Sequence, residues 1–216
     1  MSRPRRYRPR RLVFFRSFLT RPGQIGAVLP SGPELARRIA RPIDLQDARC
    51  IVELGPGTGA FTEALLAGMS PRARLIAIEA NPQMGAIVAS TFPEVELVHD
   101  DAGRIRELLQ ERGVEEVDAV VSGLPFTTFP PRLQTRVVEG AHAVLKPGGL
   151  FLSFTYYYSR LLPACHRFEA LLRRTFGEVD RLPVLRNLPP AFVFRCRKEG
   201  PAAGAGERNE ELRHAV

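Results

Sequence analysis

Cysteine is scarce in this chain. There are three, Cys50, Cys165 and Cys196, an odd number at spacings that suit no metal. A disulfide framework and a structural zinc site are excluded on that pattern, and a reducing, intracellular setting is expected. Long apolar runs are missing too. None approaches the ~20 residues that a membrane-spanning helix needs. The apolar stretch behind the first arginines, residues 12–15, is too short and too basic to read as a secretory signal. Acid is absent from the first 33 residues. Glu34 comes first, after Arg3, Arg5, Arg6, Arg8, Arg10, Arg11, Arg16 and Arg21. The chain has 31 Lys+Arg, 23 Asp+Glu and a net charge of +8, so with those eight set aside the body is balanced.

What is present describes a globular protein. The 216 residues are 44% apolar and 25% charged, enough for one domain with a sizeable core and short appendages. A basic arm on a neutral body points to a polyanionic surface. Within the arm, Leu12, Phe15 and Leu19 fall on one side of a helix, with Phe14 and Phe18 beside them and Arg11, Arg16 and Ser17 elsewhere. A basic amphipathic helix of this kind lies in a bilayer interface. Packing of the arm on the body, or contact with nucleic acid, are the other readings. Residues 21–33, rich in proline and glycine, form an irregular segment, and residues 26–31 suit a lid. Ser31 and Glu34 have the spacing of a capping box for a helix that runs to about Arg41.

Strands and helices then alternate. Strands are expected at Cys50–Leu54, Leu75–Ile78, Val95–Val98, Val117–Ser122 and Leu150–Thr155. Helices lie between them, one over roughly Thr58–Ala67, one starting at Asn81 as N-cap and another stopped by Lys146-Pro147-Gly148-Gly149. A helix at Pro163–Thr175 and two late strands, Glu178–Leu185 and Ala191–Cys196, follow. The late pair has no helix between its members and should run antiparallel. This is an α/β pattern with a mostly parallel sheet covered on both faces. Residues 198–216 are small, polar and without period, and read as disordered.

The strongest chemical signal is Glu53-Leu54-Gly55-Pro56-Gly57-Thr58-Gly59, a glycine turn between a buried strand and a helix. The spacing is neither the dinucleotide G-x-G-x-x-G nor a phosphate loop. The carboxylate of Glu53 would repel a pyrophosphate and suits a ligand carrying an ammonium group. Glu79 ends the next strand, placed for a ribose diol. Asp101-Ala102 follows the third strand, placed for an adenine amino group. An amino acid, a ribose and an adenine in that order describe S-adenosylmethionine.

On these residues the chain resembles the class I S-adenosylmethionine-dependent methyltransferases. The resemblance implies a Rossmann-like, seven-stranded sheet with its last strand reversed. It implies S-adenosylmethionine as cofactor and no metal. Glu53, Gly55, Gly57, Thr58 and Gly59 would hold the methionine end, Glu79 and Ala80 the ribose, Asp101 and Ala102 the adenine. Ser122, in Ser122-Gly123-Leu124-Pro125-Phe126, would sit with Leu124 at the transferable methyl. Further segments, residues 26–31, Phe154-Thr155-Tyr156 and residues 186–191, resemble the soluble bacterial phospholipid N-methyltransferases, which convert phosphatidylethanolamine stepwise to phosphatidylcholine.

That likeness implies a phospholipid acceptor and an anionic membrane surface as partners, with the enzyme cytoplasmic and peripheral on the inner face of the cytoplasmic membrane. Tyr156 and Tyr158 become candidates for the headgroup, and Tyr156 for the catalytic contact. Arg160, Arg186 and Asn187 are candidates for the lipid phosphate. The arm, residues 1–33, the methyltransferase domain, residues 34–197, and the tail are the expected divisions. The alternatives are a ribosomal RNA adenine N-methyltransferase, using Phe126 to stack a base, and a methyltransferase of another small or lipid-like acceptor. Ser-Gly where base methylators carry Asn argues against the first. His142, mid-helix between alanines, and Cys50, in a buried strand, are expected to be structural, and His99 has no catalytic role.

Overall fold

The computed structural model describes residues 32–200. The basic arm with its amphipathic helix, the lid at residues 26–31 and residues 201–216 of the tail lie outside the described residues.

The first described helix, α1, spans Pro33–Ala40. Its N-cap is Gly32, with Pro33 in the first turn, where a missing N–H costs nothing. The expected capping box rests on Ser31, outside the described residues. Glu34 pairs with Arg37 at 2.6 Å.

Seven strands follow: β1 Cys50–Leu54, β2 Arg74–Ile78, β3 Glu96–Val98, β4 Val117–Ser122, β5 Leu145–Tyr156, β6 Glu178–Val184 and β7 Ala191–Arg197. They form one sheet in the order β3-β2-β1-β4-β5-β7-β6. The first five are parallel, and β7 is antiparallel to both β5 and β6. The reversed last strand expected from sequence is thus inserted between two neighbours. Five helices connect the strands: α2 Ala60–Leu66, α3 Pro82–Thr91, α4 Ile105–Gln110, α5 Pro131–Val144 and α6 Pro163–Thr175.

Two local readings needed correction. The helix after the glycine turn begins at Ala60, not at Thr58, because Gly59 is left-handed at φ 84° and cannot continue a right-handed turn. The Lys146–Gly149 segment is not a loop ahead of a strand. It lies within β5, where the register to β4 shifts between Val117↔Leu145 and Ala119↔Leu150. Such a bulge absorbs proline and glycine without ending the strand.

The register decides which residues share a face. Val52, Leu54, Val120 and Phe151 face a core built with α4, α5 and α6, where Phe126, Phe168, Phe176, Phe192 and Phe194 pack together. Glu53 lies on the opposite face, beside α2. Through Glu53↔Val121↔Leu152 that face continues along β5 to Phe154 and Tyr156. Phe61 of α2 meets Phe154 edge-on, at 5.6 Å between ring centres.

Candidate functional site

The candidate site is the carboxyl edge of β1, β2, β4 and β5, where open α/β sheets bind ligands. Gly55, Gly57 and Gly59 all have positive φ, at 66°, 55° and 84°. Two of the three also carry a packing constraint. A Cβ on Gly55 would fall 2.6 Å from Leu124, and one on Gly59 would fall 2.3 Å from Phe92. A Cβ on Gly57 would meet nothing within 4 Å among the described residues, so its backbone is open to a ligand.

Glu53 is fully buried. Thr62 donates its hydroxyl hydrogen to Glu53 Oε2 at 2.7 Å, and Oε1 has no hydrogen-bond partner among the described residues. Burial pushes its carboxyl up to about 7, with the Thr62 hydrogen bond opposing and the Glu79 charge adding. Thr62 was not singled out from sequence, since a threonine inside a helix carries no motif.

Glu79 joins two elements of the site. Its Oε2 accepts from Gly57 N–H at 3.2 Å, and its Oε1 from Asn81 N–H at 2.9 Å. Its carbonyl lies 2.8 Å from His99 Nδ1. Asn81 caps α3, accepting from the N–H groups of Gln83 and Met84, as its position in the sequence suggested. Ala80 is exposed between them. Asp101 caps the short turn Ala102–Arg104, accepting from Gly103 N–H at 2.8 Å, and pairs with Arg136 of α5. Ala102 is buried beneath it.

At the end of β4, Ser122 is buried, and its Oγ accepts from Leu124 N–H at 3.3 Å. Gly123 donates to Leu54 O at 2.8 Å. A Cβ on Gly123 would lie 2.5 Å from Gly55 O, backbone against side chain, so no larger residue fits there. The asparagine of base methylators is not replaced by a similar group; glycine follows from two turns pressed together. Leu124 closes over Gly55.

Phe126 is not available to stack a base. It is buried and lies on Phe168, with ring centres 4.3 Å apart and planes inclined by 13°. The loop is held from below by Gln134, a buried residue that sequence reading missed. Its Nε2 donates to Phe126 O at 2.7 Å and to Phe129 O at 3.3 Å.

Tyr156, the last residue of β5, stacks on Tyr158 of the following turn at 5.4 Å and 11°, with Phe154 edge-on to Tyr156. Tyr156 is buried, and burial followed by the neighbouring Tyr158 pushes its hydroxyl up to about 12. Tyr157 turns to the other side, against Phe192. Arg160 and Arg186 are exposed. Asn187 is not. Its Nδ2 donates to Pro189 O at 2.7 Å, and its buried Oδ1 lies where a Cβ on Gly32 would fall, 2.6 Å away. Its side chain therefore braces the β6–β7 turn rather than facing a ligand.

His142 packs edge-on against Phe176, and burial lowers its pKa, so it is structural. Burial pushes the Cys50 thiol up to about 11, which keeps it inert. Among the described residues there is no group of three His, Cys, Asp or Glu able to hold a metal ion.

Residues 51–149 match a methyltransferase domain family. The ornithine lipid N-methyltransferase of Singulisphaera acidiphila is 34% identical over 188 residues, covering 86% of this chain and 94% of that one. The ribosomal RNA small subunit methyltransferase A of Thermotoga neapolitana is 31% identical over 118 residues, 53% of this chain and 42% of its own length. Among solved structures, the O-methyltransferase from Bacillus cereus in complex with SAH superposes with a TM-score of 0.66 at 15% identity, covering 85% of this chain and 88% of that one. Aeropyrum pernix fibrillarin with bound S-adenosyl-L-methionine gives 0.57 at 19% identity, over 74% and 75%.

Proposed function

The chain belongs to the class I S-adenosylmethionine-dependent methyltransferases and is an N-methyltransferase with a lipid acceptor; on that premise we propose that the acceptor is the primary amine of a membrane lipid, methylated at the bilayer surface. Phosphatidylethanolamine is supported by the motif order in the sequence. An amino-acid lipid is supported by the similarity to the ornithine lipid enzyme over nearly the full length of both chains.

The observation that carries this reading is the shared face of Glu53 and the Tyr156–Tyr158 stack. One end of that face offers a buried acceptor to a cofactor ammonium. The other offers aromatic rings to an acceptor amine. S-adenosylmethionine supplies an electrophilic methyl group on a sulfonium centre. The chain suits it in two ways: Glu53 Oε1 is buried without a partner, and the space above Gly57 admits close approach to the backbone. We assign Glu79 to the ribose, since two backbone N–H groups hold its carboxylate in place and leave it acceptor capacity. Asp101, fixed by Gly103 and Arg136, is assigned to the adenine side.

The acceptor reacts as a neutral amine, so its ammonium proton leaves before attack. Tyr156, pushed up to about 12, stays a neutral phenol at physiological pH. It therefore orients the nitrogen by accepting an N–H hydrogen bond and does not serve as an anionic base. The stacked rings then favour the methylated cation. Ser122, Gly123 and Leu124, locked onto the glycine turn, shape the wall that keeps water from the reacting atoms.

Methylation of an RNA base has half-length relatives in its favour, but Phe126 is committed to the core and Gly123 has no room for a side chain. The acceptor is tested by presenting the enzyme with vesicles of either lipid. Mass spectrometry of the extract should show stepwise N-methylation of one of them. Arg160→Ala should impair turnover of phosphatidylethanolamine, which has a phosphate, more than that of ornithine lipid, which has none. Methylation of neither lipid rejects the proposal.

A further inference from the structure

Among the described residues five large hydrophobic side chains are exposed: Tyr158 at 58%, Leu161 at 87%, Leu162 at 45%, Leu185 at 69% and Leu188 at 90%. Scattered exposed leucines are ordinary. These are not scattered. All five lie in two turns, residues 157–162 after β5 and residues 185–190 between β6 and β7. The turns are joined, since Tyr157 N–H donates to Pro190 O at 3.0 Å and Tyr156, Ala191 and Val184 stand side by side in the sheet.

Position links this surface to the site. Ser122 pairs with Ser153, and β5 runs three residues further, to Tyr156. At ~3.3 Å per residue the two turns begin about 10 Å beyond the end of β4, on the side where the glycine turn opens. Neither turn contains an acid, and each carries an exposed arginine, Arg160 and Arg186. Glu34, whose carboxyl is lowered by Arg37 and in part by Arg186, is already paired with Arg37 at 2.6 Å. Gly32, where the described chain begins, abuts Asn187 within the second turn.

We infer that the two turns are a membrane-docking surface, with Leu161, Leu162, Leu185 and Leu188 entering the acyl region of an anionic bilayer and Arg160 and Arg186 at its phosphates. Leucine tips flanked by arginine and tyrosine match the layered polarity of a bilayer interface. A protein partner would not call for cations alone around the apolar tips. Docking in this way brings the Tyr156–Tyr158 stack to the headgroup layer, so that an amine is methylated while its acyl chains stay in the membrane. The inference rests on the aminolipid reading and adds the surface through which the substrate is reached.

The chain contains no tryptophan, so one introduced residue reports on its own position. Leu188→Trp and, as control, Glu115→Trp at the opposite edge of the sheet are made in the full chain. Each is mixed with vesicles of phosphatidylcholine and phosphatidylglycerol, with and without brominated acyl chains, lacking any aminolipid. Leu188→Trp emission should shift to the blue and be quenched by bromine, while Glu115→Trp stays unchanged. The triple variant Leu161→Ser, Leu185→Ser, Leu188→Ser should bind the same vesicles on the order of tenfold more weakly or less and keep its turnover on a short-chain, monomeric aminolipid. Protein that sediments with vesicles while Leu188→Trp stays unquenched overturns the inference. So does emission that is already blue without vesicles, which would mean cover by the chain itself or a second copy. Because the vesicles contain no acceptor, quenching without methyl transfer to aminolipid would fault the acceptor assignment and leave the surface standing.

Discussion

Thr62 on α2 donates its hydroxyl hydrogen to Glu53 Oε2 on β1 at 2.7 Å, while the buried Oε1 has no hydrogen-bond partner among the described residues. A buried acid in that condition is held near pH 7 by desolvation and is poised to accept a cation.

The pH dependence of cofactor binding follows. An arriving ammonium favours ionised Glu53, so binding releases a proton when the pH is below about 7. Affinity for S-adenosylmethionine should rise with pH, by up to about tenfold per unit below that value, and level off above it. Calorimetry in buffers of different ionisation heat measures the released proton. Glu53→Gln should weaken binding and flatten the profile. Without cofactor the sign reverses. The native state binds more protons than the unfolded chain between pH 4.5 and about 7, so this group's contribution to stability declines as pH rises through that window.

Gly123→Ala places a methyl group 2.5 Å from Gly55 O. Neither backbone can yield without moving the cofactor turn. The variant should lose about 1–3 kcal/mol of stability and should bind S-adenosylmethionine more weakly, read by thermal unfolding and calorimetry. Unchanged values for both would show that the two turns are looser than their contacts imply.

The order of elements was legible in the sequence because parallel buried strands read as short apolar runs between helices. Asn81 was legible as a cap, and residues 55–59 as a glycine turn between strand and helix. Contacts between distant residues were not. Nothing local marks Thr62 as the partner of Glu53, Gln134 as the brace under Phe126, or Asn187 as an inward residue. Phe126 was a base-stacking candidate only under the RNA alternative, and nothing local shows that Phe168, 42 positions away, claims its face. Lys146-Pro147-Gly148-Gly149 read as a stop because a bulge inside a strand uses the same residues as a loop.

Tyr156→Phe keeps the stack on Tyr158 and removes only the hydroxyl. Turnover with lipid should fall on the order of tenfold or more, while cofactor affinity holds nearly steady. The wild-type rate should show no tyrosine ionisation between pH 6 and 10, since the hydroxyl lies near 12. A rate unaffected by the substitution would remove Tyr156 from the acceptor contact.

Gln134→Leu removes the buried side-chain donor to the carbonyls of Phe126 and Phe129 and leaves Phe126 O with only the Phe129 N–H. The cost should be about 1–3 kcal/mol. Because the loop also shapes the methyl-facing wall, turnover should drop more than lipid affinity. Chemical denaturation and steady-state kinetics separate the two effects.

The central claim is the class of acceptor. Methyl-labelled S-adenosylmethionine, the full chain, aminolipid vesicles and ribosomal RNA in one vessel, followed by phase extraction, test it directly. The account predicts label in the organic phase on the lipid amine and none in the RNA. Label confined to RNA would contradict it.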